Sequence, residues 1–286
     1  MRERPVSRGC LFCGRLWGTA RRSDEHVLPK WMRQHEQTTL TAPHQSYSLG
    51  LDLDADSREF VELPRTLVTR KSTMLGLKTR DVCADCNNGW MSKLEEAARP
   101  IILRVAEAAR SGDEVELSRA DARTLALWCQ KTAATNELTS ARPQVMTGQM
   151  GRHLAEGKPI RGGLVWMARH PRDYDLALAR AHIDVSSIFA PRQDDPVRQI
   201  AFTAILYHQV TFLVFITDAP GLQAPPLQID RWTRLWPAWG AVDYPPPTLT
   251  DGNELTRTMT DYRWMPIVSV SGIRPSPVPP EIRHRN

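Results

Sequence analysis

The sequence predicts an α+β fold in two parts. A small metal-stapled module fills residues 1–110, an α+β domain with an antiparallel sheet fills residues 111–270, and residues 271–286 form a flexible tail. Three observations carry this prediction. Two Cys-x-x-Cys pairs, Cys10/Cys13 and Cys83/Cys86, supply four thiolates, the complete tetrahedral set for a structural Zn²⁺. Apolar residues recur at helical spacing from Trp90 and again from Leu125. Beyond about residue 160 the chain turns to β-branched and apolar runs of strand length.

Taken in order, Cys10-Leu-Phe-Cys13-Gly14 reads as a knuckle hairpin in which Gly14 frees the turn after the second thiolate. Ser23 or Asp24 opens a short turn carrying Glu25 and His26, and Pro29 limits its extent. Residues 41–64 are mixed and acidic, a hairpin or a mobile loop, and Arg65–Val68 has weak strand character. From Ala84 a helix follows, with Trp90, Leu94, Ala97, Ala98, Ile101, Ile102 and Val105 recurring at spacings of three and four and Pro100 expected to kink or divide it. Ser111-Gly112-Asp113 marks the boundary between the two parts. Ser118, with Asp121 three residues on, caps a second helix through Leu138, whose stripe of Leu125, Trp128, Cys129 and Thr132 is core.

Leu164–Ala168, Leu176–Ile183 and Gln199–Thr217 read as strands, with Tyr207-His208-Gln209 as the turn of a hairpin within the last. Trp232, Trp236 and Trp239 are expected to pack a proline-rich loop onto the core rather than to meet a partner.

Composition bounds the function less sharply. In 286 residues, 41% are hydrophobic and 24% charged, which allows a sizeable soluble core. No apolar run reaches the roughly 20 residues of a membrane span, and none follows the N-terminus as a signal peptide requires. Four of the five cysteines fall in the two pairs, the usage of a metal site in a reducing compartment, so the cytoplasm is the expected location. The net charge of +5 is mildly basic. Its one cluster is Arg65, Arg70, Lys71, Lys78 and Arg80, a stretch free of acidic residues and suited to phosphate contacts.

A four-thiolate zinc has no open position for chemistry, so a working site must lie elsewhere. Glu25 and His26 are the leading pair. On extended backbone, neighbouring side chains point oppositely, so one can face a metal and the other a substrate. Phosphodiester hydrolysis needs that division: a hard cation at the scissile phosphate and a base to activate water. Neutral imidazole suits the base, and carboxylate and amide oxygens suit Mg²⁺ or Mn²⁺.

Together, Cys10-Leu-Phe-Cys13, Asp24-Glu25-His26-Val27-Leu28-Pro29 and Val82-Cys83-Ala84-Asp85-Cys86-Asn87-Asn88 resemble the HNH endonucleases, in their treble-clef (ββα-metal) arrangement with a four-cysteine zinc. The resemblance covers about residues 8–100. It implies that Glu25 and Asn87 hold the catalytic cation and that His26 is the general base. The chain departs from the pattern in having asparagine at position 87, where many members carry histidine, and in having no asparagine before it. Glu95, later on the same helix, reads as a surface carboxylate, and Asn88 as a helix cap or a phosphate contact.

The function so expected is metal-dependent cleavage of nucleic acid, DNA ahead of RNA, with a protein partner or self-association through the C-terminal part. The alternative is a non-catalytic zinc-containing protein that docks on nucleic acid or organises an assembly.

Overall fold

The computed structural model describes residues 9–35, 43–53, 60–62, 66–73, 76–139, 145–184, 199–218 and 232–237. Strand β1 (Glu25–His26) leads into a short 3₁₀ turn, Lys30–His35. Strands β2 (Pro43–Leu53), β3 (Phe60–Glu62) and β4 (Thr66–Thr73) follow before the chain returns as β5 (Lys78–Thr79). β1 and β5 pair antiparallel, Glu25 opposite Thr79 and His26 opposite Lys78. Directly after β5 come the single turn α1 (Ala84–Cys86), a π-helical turn Asn87–Met91, and the long helix α2 (Ser92–Ser111).

Helix α2 ends where the sequence places a break, but through a cap. Gly112 takes the left-handed conformation, φ 81°, and donates to the Ala108 carbonyl. Pro100 does not divide α2: the helix runs unbroken to Ser111. Its buried face, Ala98, Ile101, Ile102, Val105, Ala106 and Ala109, keeps one stripe across the proline, and that packing outweighs the lost backbone bond. Helix α3 (Arg119–Glu137) begins with the expected capping box, Ser118 and Asp121 each accepting from the other's backbone N–H. Helix α4 (Gly148–Ala155) then docks on the first cysteine knuckle. A Cβ at Gly151 would lie 2.4 Å from the Leu11 carbonyl oxygen, so only glycine permits this approach.

The C-terminal part is built on two long strands, β6 (Leu164–Asp184) and β7 (Gln199–Thr217), paired antiparallel, with β8 (Thr233–Trp236) added to β6. The hairpin turn expected at Tyr207–Gln209 is not one. β7 passes straight through it, and β6 is its partner along both halves. The polar residues fall where the register shifts between Arg169 and Ala177, and His208 takes a positive φ of 51° there. Both faces of β7 are buried, which is why it reads as a continuous apolar run rather than an alternation. Trp232 is buried beside β8, in keeping with the packing role expected of it, while Trp239 and the tail 271–286 lie outside the described residues.

Within 41–64 the described residues follow the hairpin alternative, β2 pairing antiparallel with β3, and β2 also pairs antiparallel with β4. β2 also pairs with β6, in parallel, Tyr47 opposite Ala181, so the larger sheet is antiparallel apart from this one junction. The segment between the cysteine pairs therefore shares a sheet with the C-terminal strands. One buried cluster runs from Cys10 and Phe12 through Val105 and Trp128 to Phe212 and Leu235. The boundary at residues 111–113 is a capped helix end spanned by a common core. A buried His182–Glu137 contact of 2.7 Å, with Arg180 donating to the Asn136 carbonyl at 2.8 Å, ties the end of α3 to β6. No helix among the described residues is long and apolar enough to cross a membrane.

Candidate functional site

The knuckle forms because Gly14, at φ 73°, turns the chain so that its N–H reaches the Cys10 carbonyl at 2.8 Å, while Cys10 N–H bonds the Arg15 carbonyl at 2.9 Å. The second pair is set by α1: Cys83 is its extended N-cap, and its sulfur accepts from Cys86 N–H. The four sulfurs of Cys10, Cys13, Cys83 and Cys86 lie within 4.8 Å of one another, all as free thiols. Cys13 Sγ and Cys83 Sγ are 3.7 Å apart. Zn–S bonds of about 2.3 Å in a tetrahedron require sulfur–sulfur edges of about 3.8 Å, so the cluster is compatible with zinc, the Cys13–Cys83 edge already at that length.

One thiolate of the cluster, that of Cys10, is favoured, while burial raises Cys83. The hydrogen bond from Cys86 and backbone N–H groups hold Cys10 down at about 4, against the cost of burial, and Cys86 is pushed up as the proton-bearing partner. Arg15, unremarked in the sequence, places its guanidinium 3.5 Å from Cys13 Sγ and 3.7 Å from Cys83 Sγ, and pairs with Asp85 at 2.7 Å. It offsets part of the negative charge that four thiolates around Zn²⁺ would carry.

Beside this cluster a cleft of about 340 Å³ is lined by Glu25, His26, Asn87, Asn88 and Glu95, with Lys30, Trp31 and Arg99. All three residues assigned by resemblance thus open onto one cavity. β1 supplies Glu25, which is buried, and His26, which is half-buried. Asn87 enters as the first residue of the π turn, its N–H held by the Cys83 carbonyl at 3.0 Å, so the second cysteine pair fixes its position directly.

Glu95 is not the surface carboxylate expected. Lys131 of α3, completely buried, donates to Glu25 Oε1 at 3.2 Å and to Glu95 Oε1 at 2.5 Å. The expectation assumed a regular α-helix from residue 87 to 95. The π turn and the kink at Gly89, φ −93° and ψ −107°, break that regularity, and within α2 Glu95 continues the buried stripe of Ala98 and Ile102 that packs toward α3. Burial raises the Glu25 carboxyl above its usual range, Lys131 opposes this, and Glu95 adds to it. The Lys131 ammonium, penalised by burial, is nonetheless held above its usual value by the two carboxylates. A single buried cation therefore binds two acidic groups of the cleft, one from β1 and one from α2. Sequence reading passed over Lys131, although a lysine three residues after Trp128, on the buried stripe of α3, was a visible signal.

The described residues of the expected basic stretch fall at two different sheets. Lys78 and Arg80 are exposed at β5, and Arg80 pairs with Asp24 at 3.4 Å. Arg70 and Lys71 belong to β4, with Arg70 opposite His44 of β2, and Arg65 lies outside the described residues.

No family model matches the chain, and no curated protein or solved structure matches it either.

Proposed function

We propose that the cleft is the active site of a metal-dependent endonuclease of the HNH type, hydrolysing phosphodiester bonds in nucleic acid, with DNA the first substrate to test. The observation that supports this reading is the convergence of Glu25, His26 and Asn87 on one cavity. The frame is in keeping with it: two short antiparallel strands and a helix start, beside four cysteines spaced for zinc.

Glu25 and Asn87 offer the oxygen donors that Mg²⁺ or Mn²⁺ prefers, the latter a neutral amide, and the cation keeps most of its waters in such a site. A divalent cation held by Glu25 and Asn87 would supply Lewis-acid charge to the scissile phosphate and to the leaving 3′-oxygen. His26 takes the proton from the attacking water as its oxygen bonds to phosphorus and the bond to the 3′-oxygen breaks. Lys131 restrains Glu25 through one carboxylate oxygen, and the other stays available, since a carboxylate has several lone-pair positions.

The same ion pair favours the second reading, a non-catalytic nucleic-acid-docking module, because it gives Glu25 a structural partner. A cleavage assay in Mg²⁺ or Mn²⁺ separates the two. His26→Ala should reduce the rate by about 10²–10⁴-fold while zinc content and circular dichroism stay unchanged. Cleavage by His26→Ala at the parent rate would refute the assignment of the base, and salt-dependent binding by a parent that never cuts would select the docking module.

A further inference from the structure

The cleft's charged groups divide into those already engaged and those that are not. Asp24 is paired with Arg80, and Glu25 and Glu95 share Lys131. Lys30 and Arg99 line the same cavity, are exposed, and form no ion pair among the described residues. Of the cleft's carboxylates only Glu96 is likewise without an ion-pair partner among them.

Both cations are placed by rigid neighbours. Lys30 follows Val27, Leu28 and Pro29, all buried, so its backbone is anchored a few residues from His26. The Arg99 guanidinium stands over the Trp31 ring, 5.6 Å from its centroid, and Trp31 is itself edge-on to Tyr207 at 6.0 Å. Stacking on an indole occupies one face of a guanidinium and leaves the N–H fork at its rim free to grip an anion. Lys30 feels the Glu25 charge across the cleft, but an ammonium and a guanidinium held at one cleft, neither in an ion pair among the described residues, form a receptor for phosphate oxygens.

We infer that Lys30 and Arg99 bind two backbone phosphates of a polynucleotide, on either side of the bond presented to His26. This inference rests on the reading of the cleft as a nuclease site. It moves the principal phosphate contacts from the basic stretch 65–80 into the cleft itself. Because the contacts are to backbone and not to base edges, they confer affinity and register without sequence preference.

The test is the salt dependence of binding to a short labelled DNA duplex, measured from about 50 to 200 mM salt in the non-cleaving His26→Ala background. Each phosphate contact contributes about 0.9 to the slope of log K against log salt, so Lys30→Gln with Arg99→Gln should lower that slope by about 1.8. Lys30→Arg with Arg99→Lys keeps both charges and should restore it, whereas Arg161→Gln, an exposed residue away from the cleft, should leave it unchanged. Binding by the background protein with a slope that Lys30→Gln/Arg99→Gln leaves intact would overturn the inference while leaving the nuclease reading in place. No salt-dependent binding by the background protein would overturn both.

Discussion

At the scale of single residues, the least expected feature of the site is Lys131. An ammonium with no solvent exposure is tolerated only where opposite charge is at hand, and here two carboxylates supply it. Lys131→Met should therefore destabilise the protein by about 3–5 kcal/mol in denaturant titration, because it strands two buried or half-buried carboxylates against each other. Making the trio neutral, with Lys131→Met, Glu25→Gln and Glu95→Gln together, should recover most of that loss, since apolar or neutral replacements of a buried ion cluster are often tolerated. Equal instability of the single and triple variants would show that the lysine acts through packing alone. Residues such as His26 and Asn87 were legible in the sequence because each sits in a short motif with a fixed neighbour. The Lys131–Glu95 contact was not, because its members lie in different helices whose packing no local motif announces.

At the scale of elements, the second cysteine pair positions both sides of the cleft, since the segment before β1 bridges to it at Arg22 and Cys83 and Ser23 N–H donates to the Val82 carbonyl. Cys83 caps α1 and its carbonyl holds Asn87, while α4 presses on the first knuckle at Gly151. The protein should carry one zinc per chain, and Cys83→Ser should lose it together with the order of β1, β5 and the Asn87 turn, because zinc binding is folding free energy in such modules. Elemental analysis and amide exchange check this. Zinc-free parent protein with a protected β1–β5 pair would contradict it. Helix caps and knuckles were readable locally, from Ser118 with Asp121 and from Cys-x-x-Cys. Strand partners were not: the apolar run of β7 is the same whether it folds back on itself or pairs with β6, and only the burial of both faces against distant elements selects the second.

At the scale of the whole molecule, the two parts suggested by composition are joined by a common core and by the parallel β2–β6 pairing, which links Tyr47 to Ala181. Helix α3 lies beyond the expected boundary yet delivers Lys131 to Glu25. The cleft itself is lined by residues that all precede residue 111, but two of its carboxylates are held by a lysine from beyond that point, so the C-terminal part braces the site. The measurement that tests the central claim most directly is a Mn²⁺ titration of DNA cleavage by the parent, Asn87→Ala and Asn87→His. The parent should be inactive without added cation, Asn87→Ala should require roughly tenfold or more additional Mn²⁺ for the same rate, and Asn87→His should match or exceed the parent, since imidazole is the stronger ligand for Mn²⁺. Full activity in metal-free buffer, or three superimposable curves, would contradict the account.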